Sequence, residues 1–112
     1  MADPVLEIHP EVENSDLVEI AAYIAENDSV AAVRVLDEIE RTFQFVASFP
    51  EAGTLYHPAR KALSDIRMMP AGAYRNYLIF YQGIKDGRGA RILHVLHAAR
   101  DIASIVRKNP RK

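Results

Sequence analysis

Two stretches of the chain repeat their apolar residues with a helical period, and four others read as strands. Leu17, Ile20, Ala21 and Ile24 fall at i, i+3, i+4 and i+7, which aligns them as one stripe on a helix near residues 15–27. Asp16 and Glu19 form a D-x-x-E start, where carboxylates can accept the unpaired N–H groups of a first turn. Asn27-Asp28-Ser29 interrupts the stripe and can cap a second helix near residues 30–47. In that helix Ala32, Leu36, Ile39, Phe43 and Val46 make the buried stripe, and Arg34–Glu38 and Asp37–Arg41 sit four residues apart on the wet side. Phe49-Pro50 stops it. A link of about three residues between two amphipathic helices allows little but an antiparallel hairpin.

The strand signals lie on either side of this hairpin. Val5-Leu6-Glu7-Ile8-His9 is short, apolar and ended by Pro10, so it reads as a first strand. Glu51 to Ala62 contains Gly53 and Pro58 without periodicity and reads as a loop. Ile66-Arg67-Met68-Met69 is a strand closed by Pro70. Tyr77-Leu78-Ile79-Phe80-Tyr81 is a continuous aromatic and β-branched run, the composition of a strand covered on both faces. Asp86-Gly87-Arg88-Gly89 turns the chain, and Arg91 to Ala98 returns beside it. Ile102, Ile105 and Val106 can form a short last helix before a basic tail at about residues 107–112. The order β-α-α-β-β-β predicts an α+β domain, a helical hairpin packed on a small twisted antiparallel sheet.

Composition narrows the class. With 112 residues there is room for one core, so the chain reads as a single domain over residues 1–112. Apolar residues at 49% supply that core and argue against disorder. No run of 18 apolar residues and no basic–apolar leader pattern occurs, so a cytoplasmic protein without a membrane partner is expected. The absence of cysteine excludes disulfides, thiolate zinc sites and thiol nucleophiles. His94 and His97 are three apart, which on a strand sends them to opposite faces, and His9 and His57 add no ligand spacing. No metal is expected. Gly87 and Gly89 are not followed by the helix a phosphate loop needs, and no other cofactor signature occurs.

Charge is divided along the chain. Residues 1–51 carry twelve Asp/Glu against Arg34 and Arg41, and residues 52–112 carry twelve Lys/Arg against Asp65, Asp86 and Asp101. The basic half can meet an acidic partner or nucleic acid, or the two halves can simply form solvated faces that offset each other.

The element order and three segments together resemble the ParE/RelE superfamily of toxins from type II toxin–antitoxin systems. The segments are Asp16-Leu17-Val18-Glu19-Ile20-Ala21-Ala22-Tyr23-Ile24, running on to Phe49-Pro50-Glu51-Ala52-Gly53; Arg67-Met68-Met69-Pro70 with Tyr74-Arg75-Asn76-Tyr77-Leu78-Ile79-Phe80-Tyr81; and Ile92-Leu93-His94-Val95-Leu96-His97-Ala98-Ala99-Arg100-Asp101-Ile102. The NYLIFY and VLHAARD stretches are more similar to ParE than to the RelE ribonucleases. A ParE-type toxin is expected to inhibit DNA gyrase by protein contact, without catalysis. A RelE-type toxin is expected to cleave mRNA on the ribosome. Either is expected to be silenced by a cognate antitoxin, here ParD-like with a ribbon-helix-helix domain, whose disordered segment folds along the toxin. The resemblance places that segment in the groove between hairpin and sheet, with Leu17, Ile20, Ile24 and Val33 as contacts. Arg100, Arg107 and Lys108 are the expected gyrase-binding residues. A relative that has lost toxicity and persists as an antitoxin-bound scaffold is a third possibility.

RNA cleavage through the 2′-hydroxyl needs a base, an acid and cations for the phosphorane charge. The resemblance offers Arg67, His97 and Arg100 for these roles. It departs at Leu78, where RelE-type chains carry arginine, and near Val106, where they carry a tyrosine; losing both groups should lower the rate by orders of magnitude. Each residue also has a simpler reading. His97 can hydrogen-bond backbone at a strand end, and Arg100-Asp101 can be a surface ion pair. Arg67, between Ile66 and Met68, should point to the exposed face of the sheet. Tyr77, Ile79 and Tyr81 read as core rather than as a platform for stacking bases.

Overall fold

The computed structural model describes residues 3–56 and 65–99, which form two helices packed against a five-stranded sheet. The strands are β1 (Val5–Ile8), β2 (Thr54–Leu55), β3 (Arg67–Ala71), β4 (Tyr74–Ile84) and β5 (Gly89–His97), in the spatial order β1-β5-β4-β3-β2. The α+β class and the helical hairpin are as the periodicity predicts. The sheet is mixed rather than antiparallel, because β1 joins β5 in parallel while β2, β3, β4 and β5 alternate. Period and composition set which face of a strand is buried but not which way its neighbour runs. The loop expected over Glu51 to Ala62 also contains β2, two residues paired with Met68 and Arg67.

Parallel pairing of β1 depends on Gly89. It lies opposite Val5, and a Cβ there would collide with the Val5 carbonyl. A side chain would therefore push β1 off the sheet.

The continuous apolar run of β4 is covered on both faces, as expected. Ile79 and Tyr81 join one cluster with Val12, Ile39, Phe43, Val46 and Val95 on the helical side. Phe80 joins another with Ile66, Leu93 and Leu96. Opposite this run β5 carries one extra residue: Ile92 pairs with Tyr81 and His94 with Phe80, leaving Leu93 as a bulge.

The first helical segment opens at Pro10, whose fixed φ and missing N–H suit a first helical position. It winds as a π-turn over Val12–Asp16 and continues as α1 (Leu17–Ala25); α2 spans Ser29–Ser48. Asp28 caps α2, its Oδ1 accepting the Ala31 N–H at 3.0 Å. Asp16 does not cap α1, contrary to the D-x-x-E reading. Its carboxylate is turned into the protein, where Oδ2 accepts the Val95 N–H at 2.9 Å and lies 3.0 Å from His94 Nδ1. The reason lies in the sheet. Strand pairing with β1 ends at Ile8–Ile92, and the last backbone bond on that edge runs from His9 N–H to the Ile92 carbonyl. Beyond it the buried Val95 N–H needs an acceptor, and an unmet donor is costlier there than at an exposed helix end. On the wet side of α2, Glu38 pairs with Arg41, at i,i+3, in place of the expected i,i+4 pairs.

Replacing Asp16 by Ala should strand both the His94 ring and the Val95 N–H, lowering stability by about 2–4 kcal/mol. Urea unfolding measures this. Asp16→Asn keeps one acceptor and should recover part of the loss, whereas an unchanged midpoint in both variants would contradict the bridging role.

Candidate functional site

Arg67 opens β3 opposite Tyr81 of β4, and both side chains reach the chain leaving α2. Tyr81 is fully buried. Its hydroxyl donates to the Pro50 carbonyl and accepts the Gly53 N–H, each at 2.9 Å. The Arg67 guanidinium donates to the Gly53 carbonyl at 2.7 Å and to the Glu51 carbonyl at 3.3 Å. Gly53 fits because it lacks a side chain; a Cβ there would meet the Tyr81 hydroxyl and the Met68 carbonyl. Burial pushes the Tyr81 phenol above its ordinary 10.0, and the Gly53 N–H and the Arg67 charge draw it partly back. Arg67 is thus half-buried and clamps a loop, and does not stand on an open sheet face as the sequence suggested.

At the other end of β4, His97 closes β5 opposite Tyr77, and their rings meet edge to face with centroids 5.3 Å apart. His97 Nδ1 accepts the Ala99 N–H at 3.1 Å. This is the backbone bond at a strand end that the simpler reading foresaw. That nitrogen is thus turned to the backbone at the strand end. A general base needs a lone pair aimed at substrate, and the Nδ1 pair is aimed at the Ala99 N–H instead.

Arg67 and His97 are not brought together. Their partners Tyr81 and Tyr77 are four residues apart on β4, about 13 Å along the strand. They also lie on strands flanking β4 on opposite sides, roughly 10 Å across. Arg100, the third member of the ribonuclease set, lies outside the described residues, as do Arg107, Lys108, Val106, Asp101 and His57. Leu78 packs beside Ile66, Phe80, Leu93 and Leu96. Among the described residues no three His, Cys, Asp or Glu side chains are grouped to hold a metal, and no helix is long and apolar enough to cross a membrane.

The pairing Tyr77–His97 lines a pocket of about 500 Å³ with Glu19, Ile20 and Tyr23 of α1 and with Ala99. Burial, and then the neighbouring Tyr23, raise the Tyr77 phenol above its ordinary range. Residues 6–102 match the family model described as the ParE toxin of the type II toxin–antitoxin system parDE. The chain belongs to the ParE toxin family. It is the toxin component of a type II system, and the family implies an antitoxin partner. No curated protein matches the sequence.

Of the four antitoxin contacts expected for this ParE-family chain, Ile20 is buried and Leu17 and Ile24 are half-buried against the core. Val33 is exposed, as are Val18, Tyr23 and Val30, which the apolar stripe did not single out. The residues that sequence reasoning passed over are therefore off-stripe ones. Tyr23, a large ring set between Ala22 and Ile24 away from the i, i+3, i+4 positions, was the available signal.

The Tyr81 clamp gives a pH dependence of defined sign. A phenol that titrates higher when folded ionises first in the unfolded chain, so the stabilisation is complete below pH 10.0 and is lost as pH rises through the folded value. Urea midpoints should hold at neutral pH and fall above it in that range. Tyr81→Phe should be about 1–3 kcal/mol less stable at neutral pH, with a shallower alkaline fall. Parallel alkaline profiles for the two proteins would show that the clamp does not carry the effect.

Proposed function

We propose that this ParE-family toxin inhibits DNA gyrase by protein contact, has no catalytic centre of its own, and is silenced in the cytoplasm by a cognate ParD-like antitoxin with a ribbon-helix-helix domain. The observation that carries the reading is the engagement of Arg67 and His97. One clamps the Glu51–Gly53 backbone, the other gives its lone pair to Ala99, and they stand too far apart to serve one phosphate. Leu78 lies in an apolar cluster where the ribonuclease branch needs a cation.

The effector surface we assign is Arg100 with Arg107 and Lys108, which follow the end of β5 in the chain and supply a basic surface for an acidic patch on the enzyme. The antitoxin seat we assign is the exposed side of the hairpin. Ordering a disordered segment costs several kcal/mol, and burying side chains such as Val18, Val30 and Val33 offsets about 1.5–3 kcal/mol each when complete. Val33 remains in the set, whereas Ile20 is buried and Leu17 and Ile24 are half-buried against the core.

Purified toxin should inhibit supercoiling by gyrase or trap cleaved DNA, and induced cells should filament. Replacing Arg100, Arg107 and Lys108 together by Ala should weaken both effects without loss of fold or antitoxin binding. Codon-specific cleavage of ribosome-bound mRNA with gyrase unaffected would overturn the reading in favour of a RelE-like ribonuclease. Normal growth under strong induction of folded protein would favour the inert scaffold.

A further inference from the structure

We propose that the exposed end of α2 binds a second copy of this chain, the two copies related by a two-fold axis that passes between Phe45 and Phe49. The inference goes beyond the gyrase and antitoxin readings and depends on neither.

Phe45 and Phe49 lie one turn apart, and both rings face water, with 45% and 58% of their surface exposed. They rest against each other, centroids 5.2 Å apart and planes tilted by 43°. Between them and the chain leaving α2 is a recess of about 550 Å³, lined also by Ser48, Pro50, Glu51 and Ala52. Exposed apolar side chains are ordinary when scattered, but two touching aromatic rings beside a recess form a patch that association would bury. The recess is already ordered. The Tyr81 hydroxyl holds the Pro50 carbonyl and the Gly53 N–H, and Arg67 holds the Glu51 and Gly53 carbonyls. A surface fixed in advance loses little freedom on docking.

A two-fold contact requires a surface complementary to itself. Arg41 stands one turn before Phe45, about 6 Å along the helix. Glu51 follows Phe49 by two residues and lines the recess. The aromatic pair therefore has a cation at one end and an anion at the other. A half-turn about an axis between the rings sets each Arg41 beside the other copy's Glu51, and each ring pair against the other. Parallel helices would instead set like charges together. Both charges can take part. The Arg41 side chain is 73% exposed, and Glu38 holds only its Nη1, which leaves further guanidinium donors. Glu51 is exposed and joins no ion pair among the described residues.

Size fixes the kind of dimer. The exposed parts of the two rings come to roughly 200 Å² per copy. A pair of copies thus centres on about 400 Å² of aromatic surface, within the ~1,000 Å² that a specific contact needs. The rim of Arg41, Gln44, Ser48 and Glu51 supplies polar surface around it. A contact of this size is reversible rather than obligate.

Sedimentation of the full-length toxin over a concentration series tests the assignment, and a reversible monomer–dimer equilibrium is expected. Phe49→Asp should raise the dissociation constant about tenfold or more, with the urea midpoint held. Arg41→Glu and Glu51→Arg each place like charges across the axis, and each alone should weaken the dimer severalfold. Mixed in equal amounts, these two variants should regain dimer, because both cross-pairs are then opposite in sign. A toxin monomeric at every concentration would overturn the proposal. So would a dimer indifferent to Phe49→Asp, or a mixture that associates no better than its components. If the toxin is monomeric and Phe49→Asp instead abolishes antitoxin capture or gyrase inhibition, the patch belongs to that partner and not to a second copy.

Discussion

Strand β1 stops at Ile8, opposite Ile92, whereas β5 continues to His97. The edge of β5 beyond that point is covered by a helical turn that cannot offer strand carbonyls, and Asp16 supplies the missing acceptor. Its carboxylate takes the Val95 N–H and faces the ring of buried His94. Because Asp16 sits where the π-turn passes into α1, the same bonds set where the helical hairpin begins on the sheet. Glu19 and Tyr23 follow within two turns, which brings them over Tyr77 and His97. The position of the pocket, and of the exposed apolar residues on the hairpin, thus descends from one buried carboxylate.

The two ends of β4 use chemistry-bearing residues in opposite ways. At one end Tyr81 and Arg67 turn inward and clamp the backbone that leaves α2, where a buried hydroxyl with both a donor and an acceptor role adds order to a loop. At the other end Tyr77, Tyr23 and His97 surround an open space with an acid at its edge. Arginine, histidine and tyrosine are the residue types a ribonuclease would need, and here they brace a loop and line a recess. On the proposed reading, action by contact draws on that rigidity more than on proton transfer, since pre-ordered surfaces lose less freedom on binding.

Much of this was legible in the sequence, for physical reasons that can be named. The stripe Ala32–Leu36–Ile39–Phe43–Val46 specified α2 because burial follows the helical period. The run Ile79–Phe80–Tyr81 specified a strand covered on both sides because no position in it tolerates water. What period cannot carry is the direction of a distant partner, so the parallel pairing of β1 with β5 was missed. Asp16 was misread as a cap because the local pattern satisfies a helix start equally well, and only the tertiary fold reveals a buried N–H competing for the same oxygens. Arg67 was misread for a related reason: alternation gives the face of a side chain, not the loop carbonyls waiting beside it. The pocket was hidden because its members come from three elements distant in sequence.

On the proposed reading this ParE-family chain arrests growth without moving a proton, a property tested most directly by replacing His97 with Ala and inducing the toxin in the absence of antitoxin. A ring whose lone pair only holds the Ala99 N–H is dispensable for such an activity. Growth arrest at the wild-type dose, with gyrase inhibited equally by the purified variant, is the predicted result. Loss of arrest by a variant that is folded and still binds antitoxin would contradict it and return His97 to a catalytic role.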